Sequence, residues 1–153
     1  MKELLEALRM RDPSFSDPLL RPLLSYLLKA REVAGGDLDL NIILLVIAIR
    51  AVEHPEFSKL SLSERLEQVA AFPTLGVNTH SISESSGIPR ETVRRKVGEL
   101  VRKGWIVRNG TNLHFTSKAF AELTSIREAR EDLAIRCYEL IRDEAAKLPA
   151  TPS

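Results

Sequence analysis

Cysteine is nearly missing from this sequence: Cys137 stands alone in 153 residues. A single cysteine excludes an intrachain disulfide framework and any zinc site that takes two cysteine ligands from one chain. Aromatic residues are also scarce, at 5%, too few for a tryptophan- and tyrosine-lined groove that stacks sugars or bases. Neither sign of charge dominates. The 22 basic and 21 acidic residues leave a net charge of +1, so bulk charge names no partner. Long apolar runs are absent too. The longest, Leu40 to Ile49, falls far below the roughly 20 residues needed to span a bilayer. Glu3, Glu6 and Asp12 precede any such run, which leaves no signal-peptide core and makes the cytoplasm the expected location. Asn109-Gly110-Thr111 matches a glycosylation sequon, and without a secretory signal it reads as a turn. What is present is a globular composition, 44% hydrophobic and 28% charged, with enough length for one domain with its own core.

The apolar periodicity predicts a mostly α chain. Leu4, Leu5 and Leu8 share one side of a short helix over Met1 to Met10, which Asp12-Pro13 stops. Asp17-Pro18 reads as an N-cap followed by the first helical position. Leu19, Leu20, Leu23, Leu24, Leu27 and Leu28 follow at helical spacing until Gly35-Gly36. Asp37 or Asp39 can cap the next helix, Leu38 to His54, whose residues are apolar nearly all round and are therefore expected to be buried. Its β-branched residues also suit a strand, but its length and the following Pro55 favour a helix. Ser61 and Glu64 form a capping-box pattern ahead of a short helix to about Ala71. Beyond Ser117 the sequence predicts one long helix to Leu148, with Leu123, Ile126, Arg130, Leu133, Cys137, Leu140 and Glu144 alternating by three and four. Pro149 ends it.

The stretch Val77 to Thr116 carries the functional signal. A helix opening at Asn78 or Ser81 with Ile82 inward is followed by Gly87. A second helix then runs from Pro89-Arg90 to about Lys103, with an inward stripe of Val93, Val97, Leu100 and Val101. Gly104 ends that helix. Trp105 to Arg108, Asn109-Gly110 and Asn112 to Phe115 then read as strand, turn and strand, because Asn-Gly between two such runs supplies the positive φ that a tight hairpin needs. Helix, glycine turn, helix and hairpin is the order of a winged helix-turn-helix. The run Ser81-Ile82-Ser83-Glu84-Ser85-Ser86-Gly87-Ile88-Pro89-Arg90-Glu91-Thr92-Val93-Arg94-Arg95, continued by Leu100 and Gly104-Trp105-Ile106, resembles the reading head of bacterial winged-helix transcriptional regulators of the MarR and GntR type. Ser83 stands where that pattern usually has alanine.

The resemblance implies sequence-specific binding of double-stranded DNA by a regulator of transcription, a repressor in kind, with helix 89–103 in the major groove. The positions it implies as contacts are Arg90, Glu91, Thr92, Arg94, Arg95, Lys96, Arg108 and Asn109. Arg90 or Arg94 can donate two bonds to guanine O6 and N7. Thr92, in the first turn, can bind a phosphate beside free backbone N–H groups, and Arg95 and Lys96 suit phosphates. Arg108 and Asn109, at the hairpin tip, reach a neighbouring groove or the backbone. Between Asn78 and Gly110 lie Arg90, Arg94, Arg95, Lys96, Arg102, Lys103 and Arg108 against Glu84, Glu91 and Glu99. This local basic surplus on a near-neutral chain is the electrostatic footprint of a nucleic-acid binder.

Other chemistry finds little support. His54, His80 and His114 are scattered, without the spacing of metal ligands. No phosphate-binding glycine loop or nucleophile elbow occurs, so neither a metal nor a cofactor is expected, and the chain does not read as an enzyme. Cys137 reads as a packing residue in the C-terminal seam. The expected organisation is an N-terminal helical extension over 1–36, the winged helix-turn-helix over 37–116, and a C-terminal helix and tail over 117–153. That last helix, by pairing with a second copy, would give a homodimer with two reading heads. The resemblance also allows a small-molecule effector, which nothing in the sequence identifies. The alternative function is a protein-interaction adaptor that uses the same fold without binding DNA.

Overall fold

A computed structural model describes residues 16–67 and 71–146. The helix expected over Met1 to Met10, the stop at Asp12-Pro13 and the tail after Leu148 lie outside the described residues. In chain order the elements are α1 (Ser16–Val33), α2 (Leu38–Val52), α3 (Pro55–Lys59), α4 (Leu62–Glu67), α5 (Thr79–Ser86), α6 (Arg90–Lys103), β1 (Ile106–Asn109), β2 (Asn112–Phe115), α7 (Ser117–Glu122) and α8 (Thr124–Ala145). The chain is thus mostly helical with one small antiparallel hairpin. It divides into two compact units. One is Arg31–Thr124, and the other draws on the chain on both sides of it. The central unit thus includes the last residues of α1 and all of α7.

The central unit is built on α2. Asp37 caps this helix, its side chain accepting from the Leu40 N–H at 3.1 Å. One face of α2, carrying Leu40, Ile43, Leu44, Ile47 and Ala51, is buried against α5, α6 and β2. The expectation of an all-round buried helix does not hold. Leu38, Ile42, Ile49 and Val52 are exposed on the opposite side, with Leu45 half-buried between them. The apolar composition of α2 therefore belongs to two opposed stripes, only one of which this unit covers.

Pro55 does not simply end α2. It opens α3 at the first helical turn, and His54 is the cap, its Nδ1 accepting from the Glu56 N–H at 3.2 Å. This gives His54 a structural role. The Ser61–Glu64 capping box is formed reciprocally: the Ser61 N–H donates to Glu64 Oε2 at 2.7 Å, and the Glu64 N–H to Ser61 Oγ at 3.2 Å.

Residues 71–77 then run beside the two-stranded hairpin and are hydrogen-bonded to it at both ends. Ala71 bridges Thr116, the Phe72 N–H donates to the Phe115 carbonyl at 2.8 Å, and the Leu113 N–H donates to the Val77 carbonyl at 2.8 Å. Pro73, which lacks an N–H, sits in the gap between these bonds, as proline in a sheet edge must. Phe72 anchors the segment, contacting the rings of Phe57, Phe115 and Phe120.

The long C-terminal helix expected from Ser117 is two helices. Thr116 caps α7 by accepting from the Ala119 N–H, and α7 ends at Leu123, whose φ of −95° and ψ of 20° leave the helical region. The Thr124 hydroxyl donates to the Ala121 carbonyl at 2.8 Å, a local bond that competes with the helical ladder. In the other unit, the stripe of α1 is open: Leu20, Leu23, Leu24, Leu27 and Leu28 are all exposed. On α8, Leu133, Cys137 and Leu140 are half-buried, Arg130 is exposed, and Ile135, Tyr138 and Ile141 are exposed on a different side.

Candidate nucleic-acid interface

The junction between α5 and α6 is set by glycine, serine and two buried aliphatics. Asn78 caps α5, accepting from the His80 and Ser81 N–H groups at 2.9 and 3.0 Å, while Ser81 Oγ accepts from the Asn78 N–H at 3.0 Å. Gly87 ends the helix with φ 71° and ψ 1°, a left-handed conformation that glycine adopts without penalty. Ser83 donates its hydroxyl across the turn to the Ile88 carbonyl at 2.7 Å, and Ser86 donates to the Ile82 carbonyl at 2.6 Å. Ser83 thus ties the turn, which alanine could not do. Ile82 and Val93 are both fully buried where the two helices meet.

Among the described residues, nothing lies within 4 Å of a Cβ placed on Gly87, so alanine there meets the backbone penalty of positive φ. Gly87→Ala is expected to cost about 1 kcal/mol of folding free energy, measured by urea denaturation.

On α6 the buried positions are Val93, Lys96, Val97 and Leu100. This corrects the expected stripe in two places. Val101 is exposed at 37%, and Lys96 takes its place inside. The Lys96 ammonium is ion-paired with Asp37, and its side chain is 5% exposed. Lys96 is therefore withdrawn from the set of phosphate contacts. No sequence signal marks this, because the partner is distant in the chain and a lysine beside two arginines reads as surface. Burial alone would raise the Asp37 carboxyl, but the bond from Lys96, the bond from the Leu40 N–H and the charges of Lys96 and Arg95 outweigh it and hold that carboxyl below its ordinary value.

The rest of α6 faces outward. Arg90, Glu91, Arg94, Arg95 and Arg102 are exposed and Thr92 is half-buried. Glu91, Arg95, Gly98 and Arg102 follow one another by four, three and four residues, on the pole opposite Val93, Val97 and Leu100. Two of the arginines are already engaged. Arg94 Nη2 and Nε donate to the Glu91 carboxylate at 2.6 and 3.0 Å. These bonds lower the Glu91 carboxyl below its ordinary value and raise the Arg94 guanidinium above its own. Arg95 donates to Glu99 at 3.1 Å. Among the described residues, no hydrogen bond or ion pair engages Arg90 or Arg102. Arg102 and Lys103 are both exposed cations of the local basic surplus outside the expected contact set, and Lys103 lies over the Trp105 ring, which leaves Arg102 on the outer face. Its signal was its position seven residues after Arg95, on the same face. At the start of α6, Pro89 provides no side chain to cap the first-turn N–H groups, which leaves them available to an acceptor from outside.

The hairpin packs on α6 through β1. Its register pairs Ile106 with Phe115, Val107 with His114, Arg108 with Leu113 and Asn109 with Asn112. The two-residue loop is therefore Gly110-Thr111, one position later than expected, and Asn109 is the last strand residue. Gly110 has φ 58° and no other residue type has positive φ among the described residues. This is the sign pattern of a II′ turn, which needs glycine only at its first central position. Arg108 and Asn109 are exposed next to that tip. The base of the hairpin is held by Thr116, whose hydroxyl lies 2.8 Å from the Gly104 carbonyl and 3.1 Å from the Trp105 carbonyl. Trp105 is buried, with its indole N–H on Glu122 at 2.6 Å, and Lys103 lies over its ring.

Among the described residues, no group of three or more His, Cys, Asp or Glu is placed to hold a metal ion, and no helix is long and apolar enough to cross a membrane. His114 contacts the Phe72 carbonyl at 3.1 Å and His80 pairs with Glu84 at 3.3 Å, so each of the three histidines has a local structural contact. No protein-family model, curated protein or solved structure matches the chain.

Proposed function

We propose that the Arg31–Thr124 unit is a winged helix-turn-helix that binds double-stranded DNA as a transcriptional regulator. In this reading α6 enters the major groove and the β1–β2 hairpin is the wing. The observation that carries it is the outer face of α6. Arg90, Arg94, Arg95 and Arg102 project from a helix held by the Gly87 turn, with Arg108 on the adjacent hairpin. A helix of this kind fits the width of the major groove, and arginine is the side chain that reads guanine there. The uncapped first turn of α6 offers backbone donors to a phosphate. Regulators of this architecture act as dimers with two reading heads. The exposed leucines of α1 and the exposed Ile135, Tyr138 and Ile141 of α8 support a homodimer.

Titration of a fluorescent mixed-sequence duplex at two salt concentrations tests the reading. Wild-type protein binds, and its affinity falls steeply with salt as condensed counterions are released. Absence of binding at low salt would overturn it and favour the adaptor reading, for which the exposed apolar line of α2 is the specific support.

Glu91 restrains the interface in this reading, since its carboxylate both holds Arg94 and repels phosphate. Glu91→Gln is expected to tighten duplex binding by about threefold and to steepen its salt dependence. Weaker binding of that variant would instead make Glu91 a direct contact, as the sequence reading expects.

A further inference from the structure

Gly98, half-buried, lies at the outward pole of α6, midway along the helix, and none of the described residues requires a glycine there. Its φ is not among the positive ones. Among the described residues, a Cβ built on it would meet only Arg102 Nη1, at 3.7 Å, an ordinary contact with the end of a flexible side chain. Glycine in a helix interior is less favourable than alanine, because the unfolded chain loses more freedom and no side chain is gained. The fold therefore gives up stability at this position without a return in packing. The neighbours show where a return could lie. Arg94 and Arg95 are one turn before Gly98, and Arg102 is one turn after it. Arg102 leans back over the bare position, as helical side chains do towards the N-terminus. Gly98 is thus a notch in the outer face of the helix with cations on both axial sides.

We propose that Gly98 is the point of closest approach between α6 and the duplex, where one sugar–phosphate strand passes against the helix backbone and the Arg102 guanidinium grips its phosphate. This rests on the DNA reading above and adds a docking register to it. The missing side chain lets a strand reach the helix backbone, as glycine does wherever backbone and ligand meet closely. Arg90 at the N-terminal end is then left to the bases, and Arg102 to the phosphates, dividing by role the two arginines of α6 that are unpaired among the described residues.

The test compares Gly98→Ala, Gly98→Gln and Arg102→Ala with wild type, using the same fluorescent duplex at several salt concentrations and urea denaturation of each protein. Both Gly98 variants are expected to resist urea at least as well as wild type. Duplex affinity is expected to fall about fivefold for alanine and about fiftyfold for glutamine, as overpacking at a close contact does. The salt slope should not change in either, since no cation is lost. Arg102→Ala is expected to lower that slope by about one. Opposite movements of stability and affinity are what a merely structural glycine would not produce. Wild-type affinity in both Gly98 variants would overturn the docking register while leaving duplex binding itself intact. No binding by wild type at low salt would overturn both.

Discussion

Asp37→Ala is expected to cost about 3 kcal/mol of folding free energy, the largest effect of any single substitution considered for this protein. Two losses combine. The Leu40 N–H loses its acceptor at the start of α2, and the Lys96 ammonium, its side chain 5% exposed, loses its counter-charge. The second is the larger, because a buried charge without a partner keeps its desolvation penalty and nothing offsets it. The Asp37 side chain is one-third exposed, which keeps the expected effect at the lower end for a broken buried pair. The reverse substitution is unequal. Lys96→Met is expected to cost no more than about 1 kcal/mol, since it removes the buried charge and leaves a carboxylate that water still reaches. Urea denaturation of both variants checks the asymmetry, and equal losses would contradict it. The same pair gives a pH dependence. The Asp37 carboxyl is held below its ordinary value in the folded protein. The folded state therefore binds fewer protons than the unfolded one there, and its advantage is complete above about pH 5 and lost as pH falls through the lowered value. Asp37→Asn is expected to flatten the acid limb of the stability profile below about pH 4.

Arg90→Ala with Arg102→Ala is expected to weaken duplex binding by about a hundredfold at low salt, roughly tenfold from each site, with near-additive effects because the two lie at opposite ends of α6. The choice of these two follows from the ion pairs. Arg94 is tied to Glu91 and Arg95 to Glu99, so each must leave a carboxylate before it can take a phosphate or a base edge. Part of what it gains from DNA is offset by what it gives up. Arg90 and Arg102 have no such exchange to make. Arg94→Ala with Arg95→Ala is therefore expected to weaken binding less than the first pair does, although both remove two cations. Equal losses would mean that the ion pairs on the surface of α6 are too weak to matter. A larger loss from Arg94 and Arg95 would place the centre of the contact on their side of the helix.

Much of the central unit is legible in the sequence, and the reasons are local. Asp37, the Ser61–Glu64 box, Gly87 and Gly104 are punctuation read from residue type alone, because caps and left-handed turns depend on a few neighbouring atoms. The helical spacing of Val93, Val97 and Leu100 identifies the inward face of α6 for the same reason. What the sequence hides depends on distant partners. Lys96 turns inward because Asp37, on another element, meets it. The run 71–77 has no strand pattern, with Pro73 and Gly76 inside it, and is held by hydrogen bonds to distant residues, Leu113 and Phe115 of the hairpin and Arg50 of α2. The apolar face of α2 reads as burial, but hydrophobicity does not say whether this chain or a partner covers it. The hairpin loop shifts by one residue because Asn-Gly and Gly-Thr both provide a glycine at a usable position, and register is decided by the pairing of Ile106 with Phe115. In the candidate interface, the sequence marks Arg90, Thr92, Arg94, Arg95 and Arg108 as outward or near-surface residues. It leaves out Arg102, and it misses the role argued above for Gly98.

Amide hydrogen–deuterium exchange with and without duplex DNA tests the central claim most directly, since it reports where the chain is covered. The first-turn N–H groups of α6 have no side-chain cap, so they exchange quickly in the free protein. The account predicts that duplex slows exchange in the peptide spanning Ile88 to Arg95 and around the hairpin tip at Arg108 to Asn112, while α2 is unchanged. Unchanged exchange at Ile88 to Arg95 in a protein that does bind duplex, or protection confined to α2, would contradict it.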